Sequence, residues 1–215
     1  MGFTINAKDY MEYIKKAAQK IDNNSDYITE LDAATGDGDH WVNLNMGFEK
    51  LVSSSDELKE LPIDDCFKKI GMIMMSTIGG SSGILYGGAY LAAAKVIHSK
   101  NEINSEELCD VLDAMVQSMI DRGDAKPGYK TMIDALFPAV ETYKDCLAQG
   151  LGDRETLEAV KQSTIDGAES TKDMEAVRGR ARYQTNKGVG HLDPGAVTMS
   201  YQISTLADYL LEKIN

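Results

Sequence analysis

Residues 194–215 read PGAVTMSYQISTLADYLLEKIN. Ile203, Leu206, Ala207, Leu210, Leu211 and Ile214 fall at i, i+3, i+4, i+7, i+8 and i+11. That spacing lines one face of an α-helix. Earlier in the chain, Met132, Ile133, Leu136, Phe137 and Val140 repeat the pattern, as do Leu108, Val111, Leu112, Met115 and Met119. Alternating β-branched runs, the mark of strands, are absent. The period predicts helices over about 7–22, 25–34, 42–58, 62–78, 84–99, 105–122, 130–149 and 153–170, with a last one from 194 that makes nine if the first two are separate. Ser25, Asp153 and Asp193 are expected to cap helices, and Pro62 and Pro194 suit first helical positions. Connections this short favour antiparallel neighbours. The expectation is therefore an all-α, antiparallel up-and-down barrel or bundle of about eight helices, forming one domain over 1–215.

The composition suits that fold and narrows the function. Of 215 residues, 43% are hydrophobic and 26% charged, enough for a single packed core. The formal net charge of -12 argues against nucleic acid and acidic membrane surfaces as partners. It also repels polyphosphates, so a bound nucleotide would need added positive charge, which metal ions supply. Residues 70–94 carry no charge, but Gly79-Gly80-Ser81-Ser82-Gly83 interrupts them, so two buried helices are expected rather than a membrane span. The N-terminal MGFTINAKDYMEYIKK lacks an apolar signal core. Cys66, Cys109 and Cys146 lie far apart and read as core thiols of a cytoplasmic protein.

Glycine-rich punctuation falls at 35–41, 79–83, 123–129 and 178–193. Alternate connections of an antiparallel bundle share an end, so these loops can build one site there. In Thr35-Gly36-Asp37-Gly38-Asp39-His40, the two aspartates stand two apart and point the same way in an extended loop, while Asp32 ends the preceding helix. Three converging carboxylates repel one another unless a cation joins them, and hard oxygen ligands select Mg²⁺ or Ca²⁺. An EF-hand fails, with Trp41, Val42 and Phe48 at positions it reserves for other residues. A solvated acidic turn stays open as the plainer reading.

The backbone of Gly79–Gly83 suits a phosphate cradle at a helix start, or simply a tight connector. Residues 123–131, GDAKPGYKT, resemble a Walker A loop. Tyr129 is inserted before the lysine and no strand precedes it, so a P-loop fold is rejected. Gly188-Val189-Gly190 fails the dinucleotide fingerprint at Asp193. Lys172, Arg178, Arg180, Arg182 and Lys187 are the one basic concentration and suit an anionic group. His40 and His191 flank motifs and are either structural or functional. His98 reads as a helix-end residue, and Trp41 as a core or interface aromatic or a cover over ligand.

Together LDAATGDGDH, NLNMGF, GGSSGILYGG, RGDAKPGYKTMIDAL, GRARY and GHLDPGA resemble the nucleotide-binding L subunit of dihydroxyacetone kinase. The resemblance implies a barrel of eight antiparallel helices with a nucleotide site at one end. It implies that Asp32, Asp37 and Asp39 hold two Mg²⁺ ions, and that ADP or ATP meets His40, Asn43, Ser81, Ser82, Gly123, Met132, Arg180, Asp193 and Gly195. Catalysis is left to metal and positioning, with Arg180 the one side chain that could assist.

The chain length resembles the separate subunit of the phosphotransferase-linked type. That type implies tightly held ADP, a phosphohistidine donor protein, a ketose-binding kinase subunit, contact with a transcription regulator in some members, and a homodimer or hetero-complex. A nucleotide-loaded regulatory protein, a kinase subunit for a tetrose, and the nucleotide domain of a fatty-acid kinase are the alternatives. Trp41, Tyr129 and the run 182–187 depart from the family's usual residues.

Overall fold

The computed structural model describes residues 2–214. In chain order the elements are β1 (Thr4–Asn6), α1 (Ala7–Asp22), α2 (Ser25–Thr35), α3 (His40–Ser53), α4 (Ser55–Leu58), α5 (Ile63–Thr77), α6 (Gly80–Val96), β2 (Glu102–Asn104), α7 (Ser105–Gly123), α8 (Ile133–Ala148), α9 (Asp153–Ser170) and α10 (Pro194–Lys213). Single 3₁₀ turns cover Thr171–Asp173 and Arg180–Tyr183.

The long helices close a ring. Going round it, α1 packs on α3, α3 on α5, and each helix from α5 to α10 on the next, while α10 returns to α1. Their directions alternate, which places the starts of α3, α6, α8 and α10 at one end. The starts of α1 and α7 lie at the other, where β1 and β2 pair antiparallel, Ile5 opposite Ile103. Both strands run into capping boxes: Asn6 with Asp9 starts α1, and Asn104 with Glu107 starts α7. The fold is thus an all-α barrel of eight long helices, with α2 and α4 on its flank. No helix among the described residues is long and apolar enough to cross a membrane.

The apolar stripes face inward as the 3.6-residue period requires. Ile203, Leu206, Ala207 and Leu210 of α10 are buried, with Leu108, Val111, Leu112 and Met115 of α7. Tyrosines enter this core with their hydroxyls paired: Tyr10 with Tyr90 at 3.0 Å, Tyr86 accepting from Gln202 at 2.8 Å, and Tyr143 with Ser105 at 2.9 Å. Burial drives the Tyr86 hydroxyl up to about 12. The three cysteines are free and buried. Helices α5 and α6 approach through glycine: a Cβ on Gly87 would stand 2.7 Å from the Gly71 carbonyl oxygen. In α8, Pro138 lies inside the helix, and Gly167 of α9 fits against it.

Several boundaries differ from the sequence expectation. The helix expected over 42–58 breaks between Ser53 and Ser55 and begins earlier, at His40. α6 begins at Gly80, inside the segment read as a loop, and α8 begins at Ile133. Ser25 does not cap α2; Asn24 holds that position, without a side-chain hydrogen bond. Gly152 precedes α9, and Asp153 accepts the Phe3 N–H at 3.0 Å instead of capping. Pro62 stands just outside α5. His98 lies beyond the end of α6, with Nδ1 3.5 Å from Asp64.

Candidate metal and nucleotide site

The end of the barrel where α3, α6, α8 and α10 start holds a cavity of about 400 Å³. All four glycine-rich segments reach it. Helix starts carry unpaired N–H groups and the positive end of the peptide dipoles, so this end suits an anion. It also carries the densest negative charge. Asp32 is in the last turns of α2, and Asp37 and Asp39 follow in the loop to α3. Their carboxylate oxygens lie within 4.8 Å of one another, the sole such three-residue cluster among the described residues.

Two of the three carboxylates have a partner and the third is free of capping. The His40 N–H donates to Asp32 Oδ2 at 3.0 Å, tying the start of α3 to the end of α2. Asp39 occupies the N-cap position of α3 but makes no capping hydrogen bond, so its oxygens stay with the cluster. Arg180 pairs with Asp37 at 2.7 Å. Burial lowers the His40 pKa, and its Nε2 lies 2.9 Å from the Thr198 hydroxyl on α10. An all-oxygen set at this separation fits a hard divalent ion, whose charge offsets the mutual repulsion.

The rest of the wall divides in two. Ser81 and Ser82 occupy the first turn of α6, after Gly80 at φ +65. Gly123, Arg178, Arg180, Asp193 and Gly195 also line the cavity. Ile84, Leu85, Met119, Met132 and Ile133 make an apolar section. The wall thus offers apolar contact as well as polar and charged groups to one ligand. Asp193 caps α10 by accepting from Ala196 N at 2.7 Å. Burial pushes its carboxyl up to about 7, against the pull of the Ala196 N–H and of Lys130.

The cavity gathers eleven of the twelve site residues named from the sequence: Asp32, Asp37, Asp39, His40, Ser81, Ser82, Gly123, Met132, Arg180, Asp193 and Gly195. Asn43 does not line it. Its side chain lies against Gly79, where a Cβ would stand 2.8 Å from Asn43 Oδ1. Trp41 packs on the core, with its indole N–H buried and unpaired. Sequence reasoning passed over Arg122 and, apart from Met132, the apolar section, whose residues read as ordinary core. It also passed over Lys130, whose inward turn no local pattern announces.

A family model described as the DAK2 domain matches residues 34–208. The chain belongs to the DAK2 domain family. This DAK2 domain is 34% identical over 197 residues to the Escherichia coli K12 protein named PEP-dependent dihydroxyacetone kinase, ADP-binding subunit DhaL. The match spans 92% of this chain and 94% of the relative. It is 38% identical over 180 residues, 82% of each chain, to the ADP-binding subunit DhaL of PEP-dependent dihydroxyacetone kinase 2 from Listeria innocua serovar 6a. Its fold resembles the crystal structure of the dihydroxyacetone kinase from C. freundii in complex with AMP-PNP and Mg²⁺. The TM-score is 0.72 at 26% identity, covering 92% of this chain and 33% of that one. The DAK2 domain thus spans about a third of that longer kinase.

Proposed function

We propose that the chain is the ADP-binding subunit of a dihydroxyacetone kinase recharged by a phosphotransferase system. One observation carries this reading: Asp32, Asp37 and Asp39 converge at a cavity that also holds a helix-start serine pair and an arginine. The named relatives, matched over nearly their whole length, supply the reaction class.

In this reading Asp32, Asp37 and Asp39 hold two Mg²⁺ ions, which neutralise charge between the phosphates and polarise the transferring group. Ser81, Ser82 and the first-turn N–H groups of α6 cradle phosphate oxygens. His40, Asn43, Gly123, Met132, Asp193 and Gly195 complete the nucleotide site, and Met132 lends apolar contact to the base. Arg180 leaves Asp37 for the phosphates when metal arrives. A phosphohistidine partner gives its phosphoryl group to a terminal oxygen of bound ADP, breaking its N–P bond. Bound nucleotide would supply the phosphoryl group for transfer to a hydroxyl of dihydroxyacetone on a separate subunit, which would lose its proton to solvent or that subunit, while Asp32, Asp37, Asp39, Ser81 and Ser82 would keep the diphosphate in place. Positioning and charge neutralisation suffice, and no general base is required from this chain.

Reconstitution tests it. With a phosphohistidine donor, a ketose-binding subunit, Mg²⁺ and ADP, dihydroxyacetone phosphate should accumulate and should stop when this chain is omitted. Tight ADP without turnover for any donor would instead favour a nucleotide-loaded regulatory protein.

A further inference from the structure

The segment GDAKPGYKT, rejected above as a P-loop, has Lys130 as its next-to-last residue, and that lysine lies on the cavity wall with its ammonium engaged by backbone carbonyls. Lys130 is 2% exposed and sits at φ +60, a left-handed conformation that lysine rarely adopts. Its ammonium donates to two backbone carbonyls distant in sequence, those of Thr171 and His191. Among the described residues no carboxylate hydrogen-bonds it directly; burial lowers its pKa, against the nearby charges of Asp193, Asp134 and Asp173. A buried ammonium with two of its three donors on carbonyls is a structural tie, not a phosphate ligand.

What it ties is the segment that covers the cavity. Thr171 and His191 are the two feet of that segment, and it carries two of the three arginines that line the cavity, Arg178 and Arg180. Gly190 N donates to Lys172 O at 2.8 Å and Ala176 N to Lys187 O at 2.9 Å, so the feet also close on each other. Val177 N donates to Tyr129 O at 3.2 Å, next to Lys130 itself. Gly188, at φ +74, leaves no room for a side chain beside the lysine, since a Cβ there would stand 3.1 Å from Lys130 Cε. Beyond these feet, Arg178 donates from Nε to Asp124 O at 2.7 Å and pairs with the Asp124 carboxylate, while Arg180 reaches Asp37. Arg180 is exposed and Arg178 half-buried, so both tips can exchange partners; Thr171 is buried, and the exposed His191 is held through its backbone carbonyl on the lysine.

We propose that Lys130 is a positioning residue: by holding Thr171 and His191 together it keeps Arg178 and Arg180 on the cavity wall and sets how long nucleotide stays bound. This rests on the nucleotide reading above. Its test is the rate at which a fluorescent methylanthraniloyl-ADP leaves its magnesium complex during a chase with ADP. The proteins compared are the unaltered chain, Lys130→Met, Arg180→Ala, the double variant and Lys126→Met.

Lys130→Met should release nucleotide about tenfold faster, the size expected for losing charge-assisted hydrogen bonds. The double variant should be no faster than the faster single one, because the lysine acts through the arginine-bearing segment. Lys126→Met, on an exposed side chain, should match the unaltered chain. If the unaltered chain binds no nucleotide, the site reading fails. If it binds and Lys130→Met releases at the same rate, or the two effects multiply, the role given to Lys130 is overturned. Should Lys130→Met not fold, hydrogen exchange of the unaltered chain decides. The amides of Ala176, Val177 and Gly190 should be protected and open together, and exchange at free-peptide rates would contradict the tie.

Discussion

At the scale of single residues, the site is a contest between burial and charge. Asp193 shows it best. Burial holds its carboxyl up to about 7, against an ordinary 3.8. Between those values the unfolded chain has lost the proton and the folded chain has kept it. The contribution of Asp193 to stability is therefore present in full below about 3.8, falls as pH rises towards 7, and is flat above. His40 acts in the opposite sense: burial lowers its pKa, so its contribution is lost as pH falls through the ordinary 6.5. Only a variant separates the two. In metal-free, nucleotide-free protein, Asp193→Asn should flatten the decline in urea-unfolding stability between pH 5 and 7. Asparagine still caps α10, so the helix should keep its start. An unchanged slope would show that Asp193 ionises normally. The aspartate cluster itself was legible from the two-residue spacing in TGDGDH. The inward turn of Lys130 was not, because two carbonyls brought close by the fold hold it.

At the scale of elements, local periodicity and close packing divide the work. Stripes such as that of α10 could be read directly, since a buried face must recur every 3.6 residues. The start of α6 could not. Gly80, Ser81, Ser82 and Gly83 are poor helix formers, and α6 begins there because its packing on α5 outweighs propensity. The two three-residue strands were also missed; they are too short to show alternation, and their pairing depends on the barrel bringing 4–6 beside 102–104. The α5–α6 contact gives a stability prediction. A side chain at Gly87 must displace the Gly71 carbonyl, 2.7 Å from its Cβ. Overpacking of this kind costs about 2 kcal/mol. For a chain of this length Gly87→Val should then lower the melting temperature by roughly 6 °C. A melt within a degree of the unaltered protein would mean that α5 and α6 are not so tightly joined.

At the scale of the whole molecule, alternating helix direction builds the site. An even ring of antiparallel helices sends four helix starts to one end, and these helix ends with the loops between them bring four carboxylates, two serines and three arginines to one cavity. The number of long helices was legible from the stripes and the punctuation. The ring closure of α10 on α1 was not, since it joins residues nearly the full chain apart. The acidic chain, at net charge -12, can hold a diphosphate only with cations in place. Native mass spectrometry of gently purified protein, beside Asp37→Ala, tests that claim most directly. The unaltered chain should carry one ADP and two Mg²⁺. Asp37→Ala should keep its helical circular dichroism yet lose the nucleotide, with affinity down roughly a hundredfold. An Asp37→Ala protein that still holds ADP and both metals, or an unaltered chain that takes up neither from solution, would contradict the account.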